Sequence, residues 1–375
     1  MYRCTLSKKF LDPNEIEVLE PCLGHYHIDS RIWPVFSGLF ESKTPYTVPQ
    51  VVRVYEDTGD EDVSSLCGAT VIVTCKRYGR ALYRNALMAA VANRISIPFH
   101  QWIAAGCCMD MMSCPVLARK PECAGAVHAA IAGFLGRNSL LAVAYDHSDR
   151  AGLYDRACVL PAIPHALIDI GGMTSVTDYT AQHRNIKRKI SRFEKVGGTF
   201  ELIQGQLGAK DIEQLQRCFK ETSARSTFYL PYQDLYLDAA THITGKTLNG
   251  MYYFVARLNG DFLGYQAALA TGSCLNGMHG AFDRARATTY HAYDILFVKM
   301  VEFAIERGLT LIDFGGVLND TKMKMINRSV SMSYFLISRF SVVRLVMATF
   351  LKSTGIQDRR LMRYSINSPY RSECD

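Results

Sequence analysis

Apolar residues recur at helical spacing through YHAYDILFVKMVEFAIERGLTLIDFGG, residues 290–316. Tyr293, Leu296, Phe297, Met300, Val301 and Ala304 fall at i, i+3, i+4 intervals, which predicts a helix with one buried stripe. Thr288 and Thr289 stand where an N-cap hydroxyl would accept from the first free amides, and Gly308 where a left-handed cap would stop the helix. Leu309-Thr310-Leu311-Ile312 reads as a short buried strand ending at Asp313-Phe314-Gly315-Gly316. With the strand expected over Cys274–Phe282, this makes a strand–helix–strand crossover. Ligands of such units gather at helix N-termini and at strand C-terminal ends, so the active site is expected here.

The same reading extends along the chain. Val51–Tyr55 and Ala69–Cys75 are β-patterned around an acidic turn at residues 56–62, and residues 121–135 carry the helical stripe Ala124, Val127, Ala130, Ile131 and Phe134. Ser139–Tyr145 and His165–Ile170 are further strands, while residues 81–93 fit helix or strand equally. Beyond Gly171-Gly172, residues 178–196 predict a helix with Ile186, Ile190 and Phe193 on one side. Arg184, Lys187, Arg188, Arg192 and Lys195 lie largely on the other. That basic face would be solvated or would meet phosphates. Then come a strand (199–204), helices (211–225 and 233–243), and two strands (251–258 and 262–270) joined by Asn259-Gly260, a strong hairpin signal. The fold class is α/β with mixed sheets, divided into two domains at residues 1–175 and 176–375.

Composition narrows this picture modestly. A hydrophobic content of 49% with 21% charged residues is that of a globular protein. The N-terminal residues lack a signal-peptide core, and no uncharged apolar run approaches the ~20 residues of a membrane span, which predicts a cytoplasmic protein. Residues 340–351, interrupted by Arg344, read as an amphipathic packing helix. The 12 cysteines include a loose cluster at Cys107, Cys108, Cys114 and Cys123 with no C-x-x-C pair, so reduced thiols are expected rather than a metal site. A net charge of +7 suits an anionic partner without identifying one.

The element order of the second half, strand, helix, helix, three antiparallel strands, helix and strand, is similar to the GNAT acyltransferase fold. The segments HRNIKRKISRFEKVGG, FLGYQAALATGSCLNGMHGAFD, ERGLTLIDFGG and TKMK resemble the Fem-type and CelD-type branch, in which two GNAT-like domains occur in tandem. The resemblance covers residues 160–325 well and the first half by architecture. It implies acyl transfer onto an amine from a thioester of coenzyme A or an acyl carrier protein, or from an aminoacyl-tRNA. No tightly bound cofactor is implied; the acyl-thioester, with its phosphopantetheine arm along Cys274–Phe282, is a co-substrate. Arg284, Arg286, Thr288, Thr289, Tyr290 and His291 then line the donor's approach to a helix N-terminus. The Q-x-x-G-x-G loop of coenzyme A-using members is replaced by residues 284–289, and Pro-Gly is absent near His291. A carrier protein or a tRNA would place fewer demands on that loop.

Amine acylation needs a deprotonated nucleophile, a polarised carbonyl and a protonated leaving group. His279 is the first candidate base, the alternative being a histidine satisfied within the sheet. Asp283 and Asp313, at the ends of adjacent strands, could orient an ammonium, or could serve turns and caps. Tyr290 and His291 could protonate a leaving thiol. Lys322 and Lys324 resemble a lysine that follows D-F-G in this branch and could neutralise phosphate or carboxylate, and Tyr265 and Gln266 could bind the acceptor. The expected activity is N-acyl transfer, with aminoacyl-tRNA-dependent transfer and a silent binding module as alternatives.

Overall fold

The structure, a computed structural model, describes residues 2–21, 23, 29–41, 47–57, 63–75, 99–103, 116–162, 164–181, 183, 185–205, 207–225, 249–316 and 324–353. The undecided segment 81–93 and the expected helix 233–243 lie outside the described residues. Two sheets organise the chain. The first contains β1 (Tyr2–Ser7), β2 (Thr47–Glu56), β3 (Leu66–Cys75), β4 (Phe99–Ile103), β5 (Leu117–Ala118), β6 (Ala142–His147) and β7 (Cys158–Pro161). The second contains β8 (His165–Asp169), β9 (Gly198–Gln204), β10 (Met251–Leu258), β11 (Asp261–Thr271), β12 (Cys274–Phe282), β13 (Leu311–Gly316) and β14 (Arg328–Val330), and the last strand, β15 (Met332–Ile337), returns to the first sheet.

The two sheets repeat one plan. The first runs β1-β2-β3-β4-β6-β15-β7, with β5 beside β3, and the second, read from its opposite edge, runs β9-β10-β11-β12-β13-β8-β14. In each, among the described residues, one parallel pair (β4 with β6, β12 with β13) is bridged by a helix, and every other pairing is antiparallel. Those helices are α3 (Ala124–Asn138) and α8 (Ala292–Glu306). The halves also exchange a strand: β8 precedes residue 176 yet sits in the second sheet, and β15 follows it yet sits in the first.

Alternation along the strands sends side chains to three large cores. Val52, Val54 and Ile72 meet Val127, Ile131 and Leu135 of α3 on the outer face of the first sheet. Tyr252, Phe254 and Ala256 meet Leu296, Met300, Phe303 and Ala304 of α8 on the outer face of the second. Between the sheets lies a shared core in which Val51, Ala69 and Val71 join Tyr253, Val255 and Leu269. It also takes in Leu19 of α1 (Pro13–Leu19), Phe36 of α2 (Trp33–Glu41) and Leu215 of α6 (Ala209–Arg225).

Several local expectations are met in detail. Asn259 and Gly260 both adopt positive φ (52° and 84°), the backbone a two-residue hairpin needs. Gly308 (φ 67°) closes α8 with a Schellman motif, its amide donating to Ile305 O and that of Leu309 to Ala304 O. Other expectations change. The helix expected over 178–196 is two, α4 (Val176–Ala181) and α5 (Ile186–Lys195), and α5 buries Ile186 and Phe193 as its pattern requires. Thr288 and Thr289 do not cap α8. They end a short helix, α7 (Arg284–Thr289), and His291, in the left-handed region at φ 57°, occupies the N-cap of α8 without a side-chain bond. The final helix is α9 (Ser341–Ser353).

Candidate active site

The site builds from the way β12 and β13 part. They pair in parallel only at Cys274–Leu311, Leu275–Ile312 and Asn276–Asp313, while β12 runs on to Phe282 and β13 to Gly316. Two features mark where they part. The β11–β12 register slips between Ala267 and Ala268, so Met278 bulges out of the ladder. At the parting point Gly277 brings its backbone so near β13 that a Cβ there would lie 3.1 Å from Asp313 O.

Asp313 and Asn276 stand at the base of this fork, both buried. Asp313 points away from α8, since its neighbour Ile312 faces that helix. Its Oδ1 meets His165 Nε2 at 2.6 Å and accepts from the amide of Gly315 at 2.7 Å. His165 is the first residue of β8, and its imidazole is 3% exposed, so this is a short pair largely withdrawn from water. An aromatic row runs along the other face: Phe282 packs on Tyr293, Tyr293 on Phe297, and Phe297 stacks on Phe314 at 4.0 Å. It joins the diverging ends of β12 and β13 across the first turns of α8. Gln266 Nε2 lies across β12 and donates to His279 O at 3.2 Å.

His279 sits otherwise than its role as base requires. Its Nδ1 shares a 2.8 Å hydrogen bond with the hydroxyl of Tyr265, and both side chains are buried. Burial lowers its pKa to about 3, so the ring is neutral at pH 7 and a weak proton acceptor. Burial raises that of Tyr265 well above the usual range, and the phenol stays protonated. The structure thus gives His279 to Tyr265 and Asp313 to His165.

Asp283 and Asp313 are not brought together. Asp313 pairs with Asn276, seven residues before Asp283, a separation of roughly 23 Å along a strand. Asp283 instead caps α7, accepting from the amide of Arg286 at 3.3 Å. Arg286 reaches Asp261 at 3.3 Å, and Thr289 Oγ1 donates to Ala285 O at 3.0 Å. Of Arg284 only the backbone is described, and Lys322 lies outside the described residues, as do Cys107, Cys108 and Cys114. Thr288 and Lys324 are exposed and Tyr290 packs partly against the α8 core. His291 is half-exposed. Its pKa is lowered first by burial and then by the cations of Lys189 and Arg192.

Those cations come from α5. Lys189 forms an ion pair with the buried Asp294 in the first turn of α8, which ties the basic helix to the mouth of the proposed donor site. Lys187, Arg188, Arg192 and Lys195 remain exposed. His165, Asn276 and Lys189 were not singled out by sequence, and for His165 the available signal was a polar residue heading an otherwise apolar strand. Among the described residues no cluster of histidine, cysteine, aspartate or glutamate could hold a metal ion.

Residues 180–324 match the model of the acetyltransferase (GNAT) domain family. No curated protein sequence matches the chain. Among solved structures, L-PGS from Bacillus licheniformis is similar at 12% identity and a TM-score of 0.50, over 94% of this chain and 100% of that one. The C-terminal domain of an Agrobacterium fabrum protein assigned as a lysylphosphatidylglycerol synthetase is similar at 12% identity and a TM-score of 0.51, over 90% and 96%. A tandem GNAT protein from the clavulanic acid biosynthesis pathway aligns over 90% of this chain and 99% of its own at 11% identity, with a TM-score of 0.47. At such identities the likeness is one of fold.

Proposed function

We propose that this chain, an acyltransferase by the GNAT domain it carries across residues 180–324, moves an acyl group from a thioester to an amine at the β12–β13 fork. The observation that carries this reading is the fork itself, with a buried carboxylate–imidazole pair at its base. Past Asn276 β12 and β13 no longer pair with one another, and an extended, amide-bearing pantetheine arm would run between them. The half-buried Phe282 and Tyr293, at the outer end of the aromatic row, would give the acyl chain an apolar contact.

In the proposed reaction the acceptor nitrogen attacks the thioester carbonyl, a C–N bond forms, and the C–S bond breaks. His165 takes the proton released by the amine, and Asp313 holds the imidazole in place and stabilises its charged form. The proton then serves the departing thiolate. His279 and Tyr265 act behind β12 as a fixed pair that holds the bulged strand in shape. No cysteine partners a histidine in the described site, and direct attack needs no acyl-enzyme.

A second donor class has one specific observation behind it. The exposed row Lys187, Arg188, Arg192 and Lys195 on α5, tied to α8 through Lys189, would suit the phosphates of an aminoacyl-tRNA as well as those of a carrier's phosphopantetheine. The test is transfer of a labelled acyl group to an amine panel from coenzyme A, carrier-protein and aminoacyl-tRNA donors, with and without ribonuclease. Loss of transfer on ribonuclease treatment selects the tRNA. Asp313→Asn and His165→Gln should each lower kcat/KM by about 10²-fold or more, the usual worth of a positioned base. Near-normal rates in both variants would remove the pair from the chemistry, and no turnover with any donor would leave a silent binding module.

A further inference from the structure

The helix α9 is apolar on both of its long faces. One face packs: Val343, Met347 and Ala348 lie against Leu141, Leu160 and Leu336 of the first sheet. The other does not. Val342 is 69% exposed, Leu345 68% and Val346 59%, and Phe340, just ahead of the helix, is 44% exposed. Positions 342, 345 and 346 are related as i, i+3 and i+4, so they form one stripe rather than scattered exceptions.

The charge along this segment has a single sign. From Arg339 to Lys352 the sequence holds three basic residues (Arg339, Arg344 and Lys352) and no aspartate or glutamate. Arg339 lies at the stripe itself, its guanidinium 4.6 Å from the centre of the Phe340 ring. Arg344 rises from within the helix and donates to Ser338 O. A protein partner would as a rule answer an apolar stripe with an apolar patch and a rim of both charges. Exposed Val, Leu and Phe flanked by Arg339 and Arg344, in a segment without an acidic residue, fit a surface that is apolar below and anionic above, the interface of an anionic bilayer. Among the described residues no helix is long and apolar enough to cross a membrane.

We propose that α9, with Phe340 and Arg339, is a docking surface for anionic lipid bilayers. The side chains of Phe340, Val342, Leu345 and Val346 enter the acyl boundary, and the basic residues remain at the headgroups. The first sheet holds the helix by its inner face, so the outer stripe is presented without unfolding. This inference does not depend on the acyl-transfer chemistry.

The test is flotation of the full chain with vesicles of equimolar phosphatidylglycerol and phosphatidylcholine, and with phosphatidylcholine alone. Wild type should float with the anionic vesicles, and raised salt should weaken that binding. Val342→Glu with Leu345→Glu should lower the partition coefficient roughly 30-fold or more, the worth of two apolar side chains withdrawn from the interface. Arg339→Gln should lower it about fivefold, the share of one basic residue near an anionic surface. Leu345→Ser serves as a milder variant, and an unchanged unfolding temperature shows that the fold persists. Wild type left in the lower fraction with both vesicles overturns the proposal. So does equal flotation with the uncharged vesicles. A dimer that Val342→Glu with Leu345→Glu dissolves, without any flotation of wild type, would assign the stripe to a second copy of the chain instead.

Discussion

Lowering the pH from 8 to 5 should destabilise this protein by about 4 kcal/mol through two histidines. Burial depresses the pKa of His279 to about 3 and that of His128 to about 4. In the unfolded chain both return to about 6.5. Between those limits the unfolded state binds protons that the native state refuses, so stability falls as pH falls below 6.5. At 1.36 kcal/mol per pH unit, each histidine contributes a loss of about 2 kcal/mol at pH 5. That figure hardly depends on the native value so long as it lies below 5. His100 and His183 are also lowered by burial, as is His291, so they add in the same direction. Urea unfolding at the two pH values measures the difference, which is large beside a typical total of ~5–15 kcal/mol. His279→Asn should remove one of the two proton sites and shrink the difference by about 2 kcal/mol. Equal stabilities at pH 5 and pH 8, or an undiminished difference in His279→Asn, would refute the reasoning. The second result would mean that His279 is protonated in the native protein, which would restore it as a candidate base.

Three further outcomes follow from single features of the fold. A Cβ at Gly280 would lie 2.9 Å from Tyr265 O and 2.3 Å from Gln266 Oε1, so Gly280→Ala should cost about 1–3 kcal/mol in urea unfolding by displacing backbone and Gln266 together. Glu15 and Arg53 are both buried and joined through Nη2–Oε2 at 2.8 Å. Glu15→Ala should therefore cost about 3–5 kcal/mol, because the guanidinium stays buried without its carboxylate. A chain beginning at residue 176 would lack β8. It should fail to show a cooperative unfolding transition by circular dichroism, since the edge of β13 and the carboxylate of Asp313 would lose their partners.

What the amino-acid pattern revealed was set by how local the cause was. The stripe of α8, its glycine stop and the Asn259-Gly260 turn depend on contacts within a few residues, and each is found where the pattern places it. His279 was misjudged for a reason that alternation cannot carry. Strict period-2 counting from Leu275, which faces α8, puts Gly277, His279 and Ala281 on that same face. The bulge at Met278 inverts the parity, so Ala281 lands in the shared core and His279 meets Tyr265. His165 was legible as the start of a strand, but its partner Asp313 comes 148 residues later, and nothing near it in sequence announces the pairing. The exchange of β8 and β15 was hidden for the same reason.

That exchange decides how the proposed site is held. The chain leaves the first sheet after β7, and His165 is the first residue of β8 on the far side, paired with Val330 of β14. It makes the return crossing two residues after Val330, at Met332 of β15, whose carbonyl accepts from the amide of Ala162 at 2.9 Å. Both crossings therefore meet beside the imidazole that pairs with Asp313, so movement of one half against the other would pull directly on that pair. The first sheet carries a buried carboxylate of its own on the same plan. Near the end of β6, Asp146 is fully enclosed, bonded to Tyr154 at 2.8 Å and Arg150 at 3.1 Å, with His128 at 3.3 Å. There a buried carboxylate closes a core. In the second sheet, a buried carboxylate and an imidazole contributed by the other half stand where the pairing of β12 with β13 ends. The first half thus serves the proposed chemistry by anchoring both chain crossings and supplying the residue that takes the proton.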